Sequence, residues 1–224
     1  MKNSVGRRVP LSRERVVERA RELADQDGIA GLSMRKLAQG LAVEAMSLYN
    51  HVKNKDDLLD ALVELVVADI EVPSVTDSWQ TAMRSRAESA HAVLMRHRWA
   101  AHLMMSRVNV GPSMLTYVDA TLGCLRAAGF SFALADHAWN ALDSYIYGFT
   151  LQRLNFPFEP DEYADVAEAF APQMPMEQYP HLLGLSVEVM AKRHDGLHTL
   201  GFGLEFLLDG LETLRVASAE PSAS

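Results

Sequence analysis

The sequence predicts an all-helical chain made of two unlike parts. Apolar residues recur at helical spacing along most of the 224 positions, and strand-like alternation is scarce. Charge is divided: residues 1–55 carry 11 Lys/Arg against 6 Asp/Glu, a net of +5, while residues 56–224 carry 10 against 23, a net of −13. Within the basic part, residues 32–55 (LSMRKLAQGLAVEAMSLYNHVKNK) read as two short helices joined by a three-residue turn, the layout that sets one helix into a DNA major groove.

Each element follows from local chemistry. Residues 1–11 read as a disordered arm bearing Arg7 and Arg8. Ser12 caps a first helix that runs to Asp27-Gly28, with Val16, Ala20, Leu23 and Ala24 on one face. Ser33 caps a second over 34–41, and a third spans 45–51. Asp56 caps a fourth, reaching about residue 70 before Pro73. Helices are expected at 77–97, 99–107 and 113–128, the last ending at Gly129, and an apolar Tyr/Trp-rich one at 133–154. Five prolines within 155–180 predict a loop with one short helix near 163–170. A short helix near 185–192 follows, then a final one over 197–216 whose leucines at 197, 200, 204, 208, 211 and 214 trace one stripe. The domain division is therefore a helix-turn-helix unit at 1–55, a larger helical body at 56–217, and a disordered tail at 218–224.

Composition narrows the function classes. A net charge of −8 argues against non-specific nucleic-acid binding by the whole chain, but a basic end on an acidic body suits a phosphate-contacting module joined to something else. The single cysteine, Cys124, allows neither an internal disulfide nor a cysteine-based zinc site, and its apolar setting makes it a core residue. No signal segment and no apolar run near the ~18 residues of a membrane span is visible, so the expected place is the cytoplasm, with no membrane partner.

In the motif, Leu37, Leu41, Val43 and Leu48 hold the two helices at a steep angle, with the small Ala38 at the crossing. That leaves Ala45, Met46, Ser47, Tyr49, Asn50 and His51 facing out, short, polar or aromatic, as base-edge and phosphate contacts require. Arg35, Lys53 and Lys55 would meet phosphates of a double-stranded operator.

Residues 32–62 resemble the DNA-binding domain of tetracycline-repressor-type (TetR) transcriptional regulators, most specifically in Leu48-Tyr49, His51-Val52, Asn54-Lys55 and Leu58-Leu59. The likeness continues in Trp79-Gln80, His97-Arg98, Ala128-Gly129-Phe130-Ser131, Gly203-Leu204-Glu205 and Gly210-Leu211-Glu212, and so spans nearly the whole chain. It implies DNA contacts from Arg35, Ser47, Tyr49, His51 and Lys55, a homodimer, and a repressor released by a small molecule. The chain departs from the pattern at Ala42, where many members carry Gly in the turn. Ala45, Met46 and Asn50 also differ from the tetracycline repressors, so the operator sequence does not carry over. At the positions that anchor tetracycline and magnesium, this chain has Glu71, Arg86, Ala90 and Met104, none of which matches. The resemblance thus implies an effector other than magnesium–tetracycline.

The body holds 8 of the 11 methionines and all three tryptophans, apt for an adaptable apolar core, and the resemblance implies an apolar ligand cavity between its helices. Arg86, Met104, Thr121, Trp139 and Asn140 are the expected ligand-binding residues. No cofactor and no metal are expected: His194 and His198 have helical ligand spacing, but Gly196 between them breaks the helix. The helices at 133–154 and 197–216 are too apolar to be one-sided and suit a four-helix dimer bundle, with Gly148, Gly203 and Gly210 allowing close approach. The competing readings are a helical enzyme and a protein-interaction scaffold. Neither a phosphate loop, a nucleophile elbow nor a paired-carboxylate signature supports the enzyme.

Overall fold

Serine hydroxyls open the helices at Ser12, Ser33, Ser78 and Ser131, each accepting from the backbone N–H three residues on. The computed structural model describes residues 10–156, 162–170, 175, 178–193 and 198–219. Among these, helices follow one another without a strand: α1 (Arg13–Gly31), α2 (Met34–Leu41), α3 (Ala45–Leu48), α4 (Lys55–Ala68), α5 (Trp79–Arg96), α6 (Ala100–Met105), α7 (Pro112–Ala127), α8 (Phe132–Asn155), α9 (Tyr163–Phe170), α10 (Pro180–Met190) and α11 (Leu200–Ala219).

Several boundaries differ from the sequence reading, each for a local reason. The cap of α4 is Asn54, whose Oδ1 accepts from Asp57 N at 2.8 Å; Asp56 already lies inside the first turn. α3 is one α-turn long, and the chain continues to His51 through tighter bonds such as His51 N to Leu48 O, 2.9 Å. Pro180 does not belong to a loop but occupies the first turn of α10, where its missing N–H costs nothing. Helix α11 includes Ser218 and Ala219, two residues that the sequence reading places in the tail. Of the expected arm, Leu11 packs against the core; residues 1–9 and 220–224, like His194, lie outside the described residues.

One continuous apolar core runs the length of the molecule. Val16, Ala20 and Leu23 of α1 share a core with Leu37, Ala38, Leu48 and Val52 and with α4, along which α1 runs from Asp57 to Asp69, while α5, α7, α8 and α11 pack on one another around Leu94, Leu125, Leu142 and Leu204. Helix α4 touches α1 at one side and α6 and α7 at the other, which makes it the bridge between the two groups. Two polar fastenings reinforce that bridge. Glu64 of α4 accepts from the first N–H groups of α7, Ser113 N at 2.8 Å and Met114 N at 3.3 Å, and Arg107 pairs with Asp60 and Asp56. On the other side Asp25 of α1 accepts from Trp99 Nε1 at 2.7 Å and is bonded to His97 Nδ1 at 2.8 Å, both at the α5–α6 junction.

The turn between α2 and α3 closes as a Schellman motif, with Val43 N on Ala38 O and Ala42 N on Gln39 O. It requires Ala42 at φ 53°, ψ 44°, a left-handed conformation that penalises a Cβ. Ala42→Gly should therefore stabilise the fold, by about 1 kcal/mol at most once the added freedom of the unfolded glycine is subtracted. Urea unfolding checks this; an unchanged or lower midpoint would contradict it.

Candidate nucleic-acid interface and sensor core

The motif presents one wet side. Leu48 and Val52 are buried, and that fixes the phase of the residues between and around them. Met46 is 75% exposed and Tyr49 45%, with Asn50 beside them; Ala45, Ser47 and His51 are half-buried at the edges of the same surface. Arg35, Lys53 and Lys55 are exposed, as is Lys36, which reaches Asp27 at 3.3 Å. Every residue expected at this surface is thus accessible at least in part.

What steadies that surface was not visible in the sequence. The Arg13 guanidinium donates to His51 O at 2.8 Å and forms a two-pronged pair with Asp57, 2.9 and 2.7 Å. Asp57 also accepts from Lys53 N at 2.8 Å. One ion pair thereby joins the start of α1, the end of the recognition turn and the start of α4. The Arg13 side chain, with further help from Lys53, holds the Asp57 carboxyl at about 2. Its folded value is depressed, so the stability it adds is present above the ordinary carboxylate range and is lost as pH falls towards 2. No local pattern announces Arg13, because its partners lie 38 and 44 residues away.

Four of the five expected ligand residues point inward. Arg86 of α5 is fully buried and pairs with Asp143 of α8. Trp139 Nε1 donates to the other oxygen of Asp143 at 2.7 Å, and the Tyr147 hydroxyl lies 3.5 Å from it. The Tyr117 ring of α7 lies under the guanidinium, 4.5 Å from its carbon to the ring centre. Thr121, one turn on, is buried with its hydroxyl donating to Tyr117 O, and Met104 is buried. Asn140 does not join them: it is exposed, its amide donating to Asp136. Trp139 faces in, and the next residue of a helix is turned about 100° away. Asp143 and Tyr117, which the sequence reading did not single out, are central to the cluster.

Burial opposes charge on Arg86, but the Asp143 carboxylate and, at the high pH where they ionise, the Tyr117 and Tyr147 phenolates outweigh it and hold the guanidinium above its usual value. Burial also pushes the Tyr117 and Tyr147 phenols well above theirs, so both are neutral near pH 7. Arg86 Nε and Nη1 and the Tyr117 hydroxyl have no hydrogen-bond partner among the described residues. Elsewhere, the described residues contain no group of three or more His, Cys, Asp or Glu able to hold a metal ion, and no helix long and apolar enough to cross a membrane.

A family model described as "Bacterial regulatory proteins, tetR family" matches residues 16–62, and one described as "Tetracyclin repressor-like, C-terminal domain" matches residues 72–215. The chain belongs to the tetR family. It is 32% identical over 222 residues to the HTH-type transcriptional repressor DrrR1 of Streptomyces coeruleorubidus, covering 94% of this chain and 81% of that one. It is 35% identical over 209 residues to the class D tetracycline repressor protein of Escherichia coli, covering 90% and 89%. The Streptomyces coelicolor tetR-family protein ActR, solved in complex with actinorhodin, superposes with a TM-score of 0.78 at 28% identity, over 92% of this chain and 99% of ActR. TetR-family proteins are DNA-binding, dimeric transcriptional regulators that respond to small molecules, so this chain is a ligand-responsive regulator and not an enzyme.

Several of the family's scattered sequence marks, Trp79, Ala128, Phe130 and Glu212, meet in one corner of this tetR-family fold. The Trp79 ring stands edge-on to Phe130, 4.9 Å between centres, and its Nε1 donates to Glu212 at 3.1 Å. Arg215 ties Glu212 to Ala128 O. These residues hold α5, α7 and α11 together and are architectural.

Proposed function

We propose that this chain represses transcription by binding a palindromic operator as a homodimer in the cytoplasm, and that a largely apolar small molecule other than magnesium–tetracycline releases it. The observation that carries the reading is the accessible surface of α3 and the turn after it, with Met46, Tyr49 and Asn50 exposed and Ser47 half-buried beside them, flanked by the exposed Arg35, Lys53 and Lys55. The division lies near residue 55, with a DNA-reading unit before it and a sensor and dimer body from 56 to 217. DrrR1 is named a repressor, and ActR binds actinorhodin; both support the same roles here. For the dimer, Phe202 and Phe206 of α11 are 71% and 67% exposed, Leu214 is exposed, and Gly148 and Gly210 have open space where a Cβ would stand. Gly203 is different: its missing Cβ admits the Tyr145 ring of its own chain. Two such surfaces facing each other would set the recognition turns ~34 Å apart, one turn of DNA.

Release follows if the effector prefers a sensor state that shifts α4 and with it the spacing of the two α3 surfaces. Magnesium–tetracycline is disfavoured because Glu71, Arg86, Ala90 and Met104 replace its anchors, and Arg86 would set a cation against the metal.

A gel-shift assay on DNA flanking the gene tests the reading. The wild type should bind one fragment, and an Arg35→Ala, Tyr49→Ala double variant should lose about a hundredfold in affinity, one phosphate and one base-edge contact from each subunit. Undiminished binding by that variant contradicts the α3 assignment. Release by micromolar tetracycline contradicts the choice of effector.

A further inference from the structure

The segment that joins α6 to α7 lies along α4 in a fixed register. Arg107 pairs with Asp56 and Asp60, Asn109 Nδ2 donates to Asp60 O at 3.2 Å, and Ser113 N donates to Glu64 at 2.8 Å. Alternate residues of the segment thus meet every fourth residue of the helix. The spacings agree, because two residues of extended chain cover ~6.6 Å and four of a helix ~6 Å. Gly111 belongs to the same register: a Cβ there would stand 2.2 Å from the Glu64 carboxyl carbon. The residues between point the other way, as they must in an extended chain. Val108 is 92% exposed and Val110 73%.

Those two valines form one wall of an open cleft of about 900 Å³, within the ~300–1,000 Å³ of small-molecule sites. Its floor is the partly exposed side of α4, where Ala61 and Leu65 are half-buried while Leu62 and Val66 turn into the core. The other wall is α1, with Val17 buried in it and Glu14 and Glu18 more exposed. No residue of the Arg86–Asp143 cluster lines it.

Charge decides which apolar molecule fits. Four carboxylates line the cleft, Glu14, Glu18, Asp60 and Glu64, against the guanidiniums of Arg13 and Arg15. Both guanidiniums are engaged elsewhere, Arg13 by Asp57 and His51 O and Arg15 by Pro10 O. Asp60 and Glu64 hold the α6–α7 segment, and Glu18 pairs with Arg21. Glu14 forms no ion pair among the described residues. The Ser12 hydroxyl and its own N–H hold its carboxyl below the usual range, so it is charged at pH 7. The apolar cleft therefore carries an excess of negative charge on the α1 side.

We propose that this cleft is a second ligand site, which takes a lipophilic ammonium ion with its apolar body between Leu65 and Val110 and its charged head at Glu14 and Glu18. An acid of the same shape meets the excess of carboxylates, and a neutral molecule forgoes the attraction. A ligand held there touches α1, α4 and the α6–α7 segment at once. The claim concerns binding alone and does not depend on the reading of the chain as a ligand-released repressor.

The test uses the purified full-length protein, without DNA, and three probes of one length: decylammonium, decan-1-ol and decanoate, each below the concentration at which it aggregates. Binding is read by calorimetry at low salt. Decylammonium should bind about tenfold tighter than decan-1-ol, and that difference should shrink as salt is raised. Decanoate should bind more weakly than the alcohol. In nuclear magnetic resonance spectra of methyl-labelled protein, the Val108 and Val110 signals should move with decylammonium, while that of Met104, buried in the sensor core, stays. Glu14→Gln with Glu18→Gln should bring the ammonium ion down to the level of the alcohol. Ala61→Trp, which fills the floor, should abolish binding of both, and circular dichroism checks that each variant is folded. Equal binding of the three probes by the wild type, tighter binding of decanoate, a methyl shift at Met104 without one at the valines, an undiminished preference in the glutamine variant, or no binding of decylammonium would each overturn the proposal.

Discussion

An Asp143→Ala variant should unfold roughly 6–20 °C below the wild type, the loss of about 3–5 kcal/mol expected when a buried charge is left without its partner. Arg86 is wholly enclosed, and Asp143 is the carboxylate that balances it. The Asp143 side chain is itself 16% exposed, which places the effect towards the lower end of that range. The pair is asymmetric, so the two single variants should differ. Arg86→Met leaves Asp143 with the Trp139 and Tyr147 donors and a path to water, and should cost less. Replacing both, Arg86→Met with Asp143→Leu, should recover most of the stability, because an apolar pair of similar volume removes the desolvation cost of both ions. Thermal unfolding of the three variants checks the order. A double variant as unstable as Asp143→Ala would show that packing around the pair, not its charge, is decisive.

Asp57→Ala should weaken operator binding about tenfold, or about 1.4 kcal/mol, although it removes a negative charge from the side that meets DNA. Electrostatics alone predicts the opposite sign, since fewer carboxylates near a polyanion favour binding. The geometry predicts weakening because Asp57 anchors Arg13, which holds His51 O, and itself holds Lys53 N. Without it the short recognition turn, one α-turn followed by a tighter one, loses its outer support. The salt dependence separates positioning from contact. Asp57→Ala should leave the slope of log affinity against log salt unchanged, while Lys53→Ala should reduce it by about 0.9 per phosphate lost. Stronger binding by Asp57→Ala would refute the positioning role.

Features set by neighbouring residues were legible in the sequence. Ser12 and Ser33 cap the helices expected of them, Gly28 breaks α1 at φ 70°, and α9 occupies the stretch predicted between the prolines. The α3 surface was legible too, because burial of Leu48 and Val52 fixes which residues face out. Local signals failed where two candidates competed, as when Asn54 rather than Asp56 took the cap of α4. They failed again at Asn140, one position from an inward Trp139 and hence on another side of the helix. Arg13, Glu64 and Asp143 were invisible for a different reason. Each acquires its role from a partner 38 to 57 residues away, and no short-range pattern in the chain encodes that meeting.

The bridge between the two helix groups is made at two places, and this limits how the DNA-binding end can move. Asp25 fixes α1 to His97 and Trp99, and the Glu64 and Arg107 bonds fix α4 to the start of α7. A body held at one point can turn in any direction, whereas a body held at two can turn only about the line that joins them. A signal arriving from α5 or α7 would then favour one swing, with a direction set by the protein and not by the molecule that triggers it.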